Sequence, residues 1–107
     1  MSGSFKKFVL DQLSSLGPVD ARAMFGGHGL YHLGIFFGII HKGRLFFRTD
    51  EVTRAEYIEA GMKPFSPNAK QTLKNYFEVP PDVLDDHERL SAFAEKAIKC
   101  AGDKVKG

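Results

Sequence analysis

The sequence has no tryptophan, and cysteine occurs once, at Cys100, among its 107 residues. One cysteine cannot form an internal disulfide, so the disulfide-stapled class of small secreted domains is excluded. The N-terminal stretch 1–16 alternates apolar and polar residues and lacks the continuous apolar segment of a secretory signal. The longest apolar run, Ile35 to Ile40, is far shorter than the roughly 20 residues that a membrane-spanning helix needs. We therefore expect a cytoplasmic protein without membrane contact.

The sequence also lacks a large excess of either charge. It has 15 Lys and Arg and 13 Asp and Glu, so the formal net charge is only +2. The basic residues are spread from Lys6 to Lys106 and form no cluster of the kind that marks a dedicated nucleic-acid domain. The charge balance therefore neither requires nor excludes a nucleic-acid partner.

Phenylalanine is abundant, with 10 residues, and the length suits a single domain spanning 1–107. Each aromatic ring buries a large apolar area. We therefore expect aromatic rings to provide much of the buried surface of this domain.

Helical patterns begin at the N-terminus. Apolar residues in 5–16 recur every three or four positions, and Gly17-Pro18 ends the stripe. A second helix, over 50–61, is indicated by Thr53 and Glu56, which have the spacing of a capping box. Its last residue is a glycine, which suits the left-handed position after a helix.

A third helix is predicted near the C-terminus. Asp85 and Glu88 resemble an N-terminal cap, and an apolar stripe at helical spacing runs from Leu90 to Ala101. The remaining residues, 102–107, read as a frayed tail.

Strand patterns occupy the middle of the chain. Apolar runs bounded by turn residues predict strands over 23–25, 30–40 with a break at 33–34, 44–47 and 73–79. The sequence "HKG" at 41–43 is a short hairpin signal, and such close spacing favours antiparallel pairing. Two prolines and an asparagine predict a loop over 62–71. The order of elements predicts an α+β domain of two layers, in which helices pack on an antiparallel sheet.

The alternation of side chains in "RLFFRT" separates two sheet faces. Leu45 and Phe47 share one face, whereas Arg44, Phe46 and Arg48 share the other. In "IFFGII" both parities are apolar, with residues 35, 37 and 39 against 36 and 40, as in a strand that is buried on both sides. Helices can cover one face. The other needs a helix, a protein partner or a second subunit, and a homodimer is one way to seal it.

The glycine-rich stretch "FGGHGLYHLG" does not have the spacing of a dinucleotide fingerprint or a P-loop, and strands rather than a helix surround it. We interpret its glycines as turn or bulge residues. His28 and His32 would stand about 13 Å apart on an extended strand, too far to share one metal ion. We therefore expect neither a cofactor nor a metal ion.

Catalytic patterns are also lacking. Cys100 lies near the end of the last predicted helix, where the negative end of the helix dipole opposes a thiolate. The serines lie in no nucleophile-elbow pattern, and Asp85 and Asp86 are better explained as cap residues than as an acid–base pair. We assign no catalytic residues and expect no enzyme activity.

The strand "RLFFRT" supports a binding hypothesis, because Arg44, Phe46 and Arg48 would line one face as cation, ring and cation. Arginine and aromatic residues are enriched at protein interfaces, and the same pattern can hold phosphates and stack on bases. Packing of the arginine stems over Phe46 is a third, purely structural interpretation. We predict a protein interface at Phe36, Ile40, Arg44, Phe46 and Arg48, with direct nucleic-acid binding by the three residues of the strand as the alternative.

The stretches "RAMFGGHGLY", "GIFFGII", "LFFRTD", "GMKPF" and "YFEVPPDVL" resemble the N-terminal domain of the TfoX/Sxy family of competence regulators. The similarity extends from about Leu16 to Ala101. Its most specific part, to which we assign a mainly structural role, is the motif Arg22, Met24, Phe25, Gly26, Gly27, Gly29, Leu30 and Tyr31.

The resemblance implies the element order α-β-β-β-α-β-β-α, like that of type III secretion chaperones, with an antiparallel sheet of about five strands. It also implies a second short strand near Lys70–Thr72 or earlier. For function, it implies a non-enzymatic transcriptional co-regulator that contacts a transcription factor such as the cyclic-AMP receptor protein. Full-length members carry a second, helical DNA-associated domain. We therefore expect this sequence to be a stand-alone copy of the first domain.

Overall fold

The computed structural model describes residues 2–24 and 26–106, with side chains described for 4–24 and 26–102. Six strands form one antiparallel sheet in the order β1-β2-β3-β4-β6-β5. The strands are β1 (Asp20–Met24), β2 (Gly27–His32), β3 (Ile35–His41), β4 (Arg44–Arg48), β5 (Pro64–Asn68) and β6 (Gln71–Glu78). The helices are α1 (Ser2–Gln12), α2 (Glu51–Glu59), α3 (Pro81–Leu84) and α4 (His87–Lys106), with a 3₁₀ turn at Ser14–Leu16. The predicted α+β class and antiparallel sheet are confirmed.

The sheet has six strands rather than about five, and the apolar run 30–40 is divided between β2 and β3 at the predicted break at 33–34. His32 pairs with Ile35 across the turn Leu33-Gly34, and both turn residues have positive φ angles, 51° and 84°. Residues 42 and 43 form a second turn of this kind, with φ angles of 50° and 73°. Two consecutive left-handed residues match the twist of a tight hairpin, so the hairpin predicted from "HKG" is confirmed.

The cap of α2 differs from the prediction. The Asp50 side chain accepts hydrogen bonds from the backbone N–H groups of Val52 and Thr53, and the Thr53 hydroxyl donates to it as well. The backbone N–H of Asp50 donates in turn to the Thr53 hydroxyl, which completes the capping box. The assignment of Thr53 and Glu56 as the box was therefore wrong by one turn, because the helix already begins at Glu51.

The last helix begins one residue later and ends later than predicted. Asp86, rather than Asp85, accepts the backbone N–H groups of Glu88 and Arg89 at 3.1 and 3.2 Å. The backbone stays helical through Lys106, so most of the predicted frayed tail belongs to α4.

The loop predicted over 62–71 is wrong in its centre, where β5 pairs with β6. Pro64 and Pro67 suggested a loop, but a strand at the edge of a sheet tolerates residues without an N–H group on its unpaired side. The second short strand implied by the family resemblance is therefore confirmed, at Pro64–Asn68.

The main core lies between the sheet and the helices. Its fully buried side chains include Val9 of α1 and Leu13 directly after it, Leu30, Phe37 and Phe47 of the sheet, and Leu90 and Ala94 of α4. A second cluster on the opposite face contains Ile39, Phe46, Phe65 and Tyr76, with Phe36 and Leu73 packed against it. We call this opposite side the second face. No helix among the described residues contributes to its cluster, and no described helix is long and apolar enough to cross a bilayer.

A β-bulge in β3 decides which residues reach each face. Tyr31 pairs with Phe36 but Leu30 pairs with Gly38, so Phe37 is an extra residue on this strand. Beyond the bulge the alternation is shifted: Ile39 joins Phe36 on the second face, and Ile40 joins Phe37 in the main core. The expectation that β3 is buried on both sides is confirmed, but the predicted division of its residues between the two faces is wrong.

Candidate binding surface

A row of three aromatic rings with an arginine at each end crosses the second face. It consists of Arg22 (β1), Tyr31 (β2), Phe36 (β3), Tyr76 (β6) and Arg48 (β4), and we call it the arginine–aromatic row. The Arg22 guanidinium lies 4.6 Å from the centroid of the Tyr31 ring, and that of Arg48 lies 5.6 Å from the Tyr76 ring. Between them, the ring centroids of Tyr31 and Phe36 are 5.2 Å apart, and those of Phe36 and Tyr76 are 5.4 Å apart. Side chains from five strands therefore form one continuous contact.

The guanidinium group at each end of the row lies over the face of a tyrosine ring. A guanidinium over an aromatic face is attracted by the quadrupole of the ring. Burial raises the pKa of the Tyr76 phenol, and the positive charge of Arg48 partly offsets this rise. The phenol is therefore neutral at physiological pH, and the row carries the two arginine charges.

Beside the row lies a cleft of about 470 Å³, which we call the Phe46 cleft. Its floor is apolar, since Phe46 and Phe65 are 7% and 1% exposed with ring centroids 4.8 Å apart. Its rim is mostly basic, and a 3.2 Å ion pair links Arg44 to Glu78. The lining residues are His41, Lys42, Arg44, Phe46, Lys63, Pro64, Phe65, Ser66 and Glu78.

The structure brings together four of the five residues predicted to form an interface. Phe36 and Arg48 are half-buried in the row, Arg44 is exposed at the cleft rim, and Phe46 is buried on the cleft floor. Ile40 is a correction. It is 3% exposed within the main core, because the bulge at residue 37 turns its side chain towards the helices.

Sequence reasoning missed Arg22 and Tyr31 as surface residues and treated them only as parts of a motif. They meet because β1 and β2 form a tight hairpin in which Arg22 pairs with Gly29, so that Tyr31 is its diagonal neighbour on the same face. Counting residue pairs outward from the turn at Gly26 would have revealed this contact. Lys63, at the rim of the cleft, gave no signal of its own.

The motif glycines have structural roles in β2 and in the turn that precedes it. Gly26 has a φ angle of 77° in the turn between β1 and β2, which favours glycine. A Cβ atom on Gly27 would overlap the carbonyl oxygen of Ile40 in the neighbouring strand. A Cβ atom on Gly29 would lie 2.7 Å from Met24 Sδ and 3.0 Å from Phe36 Cε1.

These roles account for the glycine-rich stretch without a ligand. Of the remaining motif residues, Leu30 is fully buried and Met24 is half-buried, whereas Phe25 lies outside the described residues.

The family model of the TfoX N-terminal domain matches residues 11–101. This chain belongs to that family. A curated relative, the DNA transformation protein TfoX1 of Aliivibrio fischeri, is 35% identical over 69 residues. The match covers 63% of this chain and 33% of the relative, so it spans about a third of the relative's length.

The histidines of this TfoX N-terminal domain do not converge on one point. His32 Nδ1 lies 2.8 Å from the Pro18 carbonyl oxygen, and the buried His41 ring packs edge-on against Phe65 at 5.1 Å. Among the described residues, no three His, Cys, Asp or Glu side chains approach closely enough to hold a metal ion.

A second cleft, of about 390 Å³, lies where β4 ends and α2 begins. There the Cys100 thiol donates to Asp50 Oδ2 at 3.3 Å, and Arg54 Nη2 donates to Asn75 Oδ1 at 2.9 Å. Burial raises the pKa of the Cys100 thiol, and the hydrogen bond to Asp50 raises it further. The thiol is therefore protonated at neutral pH, which does not suit a nucleophile.

Proposed function

We propose that this TfoX N-terminal domain is a non-enzymatic regulator of competence genes that acts in the cytoplasm as a co-regulator or adaptor, by contacting a protein. Membership of the TfoX N-terminal family supports the regulatory role, and the relative's name links that family to DNA transformation. The observation that carries the proposal is the second face, where the arginine–aromatic row adjoins the Phe46 cleft and no described helix covers either.

The chemistry of this face favours an acidic partner with an apolar anchor. Lys42, Arg44 and Lys63 line the cleft, Glu78 is the one acidic residue among the described residues that line it, and the cleft floor is aromatic. Aromatic and arginine side chains are the residue types that most often dominate binding energy at protein interfaces. We propose a transcription factor, such as the cyclic-AMP receptor protein, as the partner.

Direct nucleic-acid binding by Arg44, Phe46 and Arg48 is the alternative. Stacking on bases needs free ring faces. Phe46 is only 7% exposed, and the rings of the row already contact one another and the two guanidinium groups. The geometry therefore favours protein contact over base stacking.

The test is isothermal titration calorimetry with purified cyclic-AMP receptor protein, using Arg22→Glu and Arg48→Glu as single variants and combined. We expect the combined variant to bind at least about tenfold more weakly, since each reversal places a like charge against an acidic partner. The matched control is Lys7→Glu, an exposed charge reversal on α1. Circular dichroism verifies that each variant is folded.

Three outcomes contradict the proposal: no binding by the wild type, equal binding by the row variants, or an equal loss in the Lys7→Glu control. Titration with single-stranded and duplex DNA over a salt series tests the alternative. Tight DNA binding that weakens steeply with salt and is lost in Arg48→Glu would replace protein contact by nucleic-acid binding.

A further inference from the structure

The two edges of the sheet are protected to different degrees. Edge strands carry unpaired backbone groups that can pair with another chain, and proteins block them with prolines, bulges and charges. The β5 edge contains Pro64 and Pro67, and its pairing with β6 has two register shifts. The β1 edge contains no proline, and its five residues pair with β2 without a shift.

The outer side of β1 is free within the part of the chain that the structure describes. β2 is its only neighbour in the sheet, so the backbone groups that point away from β2 pair with no described strand. Asp20, Arg22 and Ala23 are exposed, and Ala21 and Met24 are half-buried. A second strand can therefore approach this edge without displacing a described element of the sheet.

The charges on this edge are self-complementary. Asp20 and Arg22 lie on the same face of β1, and neither forms an ion pair with a described residue. If two β1 strands pair antiparallel with Ala21 opposite Ala21 of the second copy, Asp20 of each copy lies opposite Arg22 of the other. Directly opposite residues have Cβ atoms about 5 Å apart, which allows an ion pair.

Two of the other two-fold registers bring like charges together. A dyad at Arg22 sets two arginines opposite each other, and a dyad at Asp20 sets two aspartates opposite each other, which is destabilising. The dyad at Ala21 gives two attractive pairs and places only a small side chain at the centre of the contact.

We propose that two copies of this chain associate through antiparallel pairing of their β1 edges, with Asp20 of each copy opposite Arg22 of the other. The association goes beyond the proposed regulatory function, since it leaves the Phe46 cleft open and joins two arginine–aromatic rows end to end. Five residues on each side form a contact at the small end of specific interfaces, so the dimer depends on protein concentration.

The test is sedimentation equilibrium over a dilution series with Asp20→Arg and Arg22→Asp. The wild type is expected to form dimers, and each single variant should be monomeric because like charges then face each other. An equimolar mixture of the two variants should dimerise again, because residues 20 and 22 of one variant are then both opposite in charge to those of the other. The doubly exchanged variant should also dimerise, and Lys7→Glu should behave as the wild type.

Recovery in the mixture shows that the single variants are folded, and circular dichroism checks each of them separately. A wild type that stays monomeric at the highest concentration overturns the proposal. So does a dimer that persists in both single variants, or a mixture that stays monomeric. Asp20 lies outside the arginine–aromatic row, so partner binding by Asp20→Arg tests the proposed function independently of dimerisation.

Discussion

Gly27 and Gly29 lie two residues apart on β2, but their neighbours differ in how far they can move. The atom that a Cβ on Gly27 would overlap is the carbonyl oxygen of Ile40, part of the paired backbone of β3. At Gly29 the nearest atom is the thioether sulfur of Met24, at the end of a flexible side chain. Backbone cannot yield without breaking sheet hydrogen bonds, whereas a methionine can change rotamer.

We therefore expect Gly27→Ala to lower the free energy of unfolding by about 3 kcal/mol and Gly29→Ala by only about 1 kcal/mol, following the usual cost of overpacking. Urea denaturation of the two variants measures both values. Gly26→Ala is a useful control, because no atom lies within 4 Å of its Cβ position and only the φ angle of 77° is unfavourable. Equal losses at Gly27 and Gly29 would show that the neighbouring strand can shift.

At the scale of the element, the start of α2 depends on Asp50. Hydrogen bonds lower the pKa of the Asp50 carboxyl, and that from the Thr53 backbone N–H contributes most. The carboxylate also accepts the Cys100 thiol, which links the start of α2 to α4. A lowered pKa in the folded state means that the charged form is the one that stabilises the fold.

Asp50→Ala should lower the free energy of unfolding by about 1 kcal/mol at neutral pH, the usual cost of losing an N-terminal cap. This contribution is fully present above the unfolded pKa, near the ordinary value of 3.8, and is lost as the pH falls through the lower folded pKa. The difference between wild type and variant should therefore shrink in acid. Chemical denaturation at a series of pH values measures it.

The matched control for this prediction is Asp85→Ala, because Asp85 does not cap α4. It should change stability by less than about 0.5 kcal/mol, as is usual for surface positions. A larger loss for Asp85→Ala than for Asp50→Ala at neutral pH would contradict the cap assignment.

At the scale of the whole molecule, β5 brings Phe65 over the second face. Its ring lies 4.8 Å from Phe46 and 5.1 Å from His41, measured between centroids, although β6 separates β5 from β4 in the sheet. Part of the second face is therefore covered by the chain itself, and the arginine–aromatic row lies beside the covered part.

Phe65→Ala should lower the free energy of unfolding by about 3 to 4 kcal/mol, because it removes a buried ring and leaves a cavity above Phe46. Urea denaturation measures the loss, and increased fluorescence of a hydrophobic dye should report the newly exposed cluster. Leu33→Ala is the control, since Leu33 is 74% exposed and should contribute little. If Phe65→Ala leaves the free energy of unfolding nearly unchanged, the second cluster does not depend on the Phe65 ring.

The candidate surface shows which features of a binding site can be predicted from sequence patterns. Phe46 was correctly placed on the face opposite Phe47, because simple alternation holds within β4. The sequence did not predict its burial beneath Phe65, because Pro64 and Pro67 indicated a loop where the structure has β5. Binding tests on this face therefore use Arg22 and Arg48 rather than Phe46, whose replacement by a charged residue would disrupt the fold.

The sequence by itself determined the features that depend on near neighbours: the presence of a helix near the N-terminus, the turns at 33–34 and 42–43, and the alternation in β4. Tertiary structure alone decided that Phe37 is an extra residue in β3, that Ile40 therefore faces the helices, and that Phe65 closes over Phe46. The physical reason is the separation along the chain of the residues that determine each feature. Helix stripes and tight turns are set by residues within a few positions, whereas strand register and sheet curvature depend on which distant segments pair.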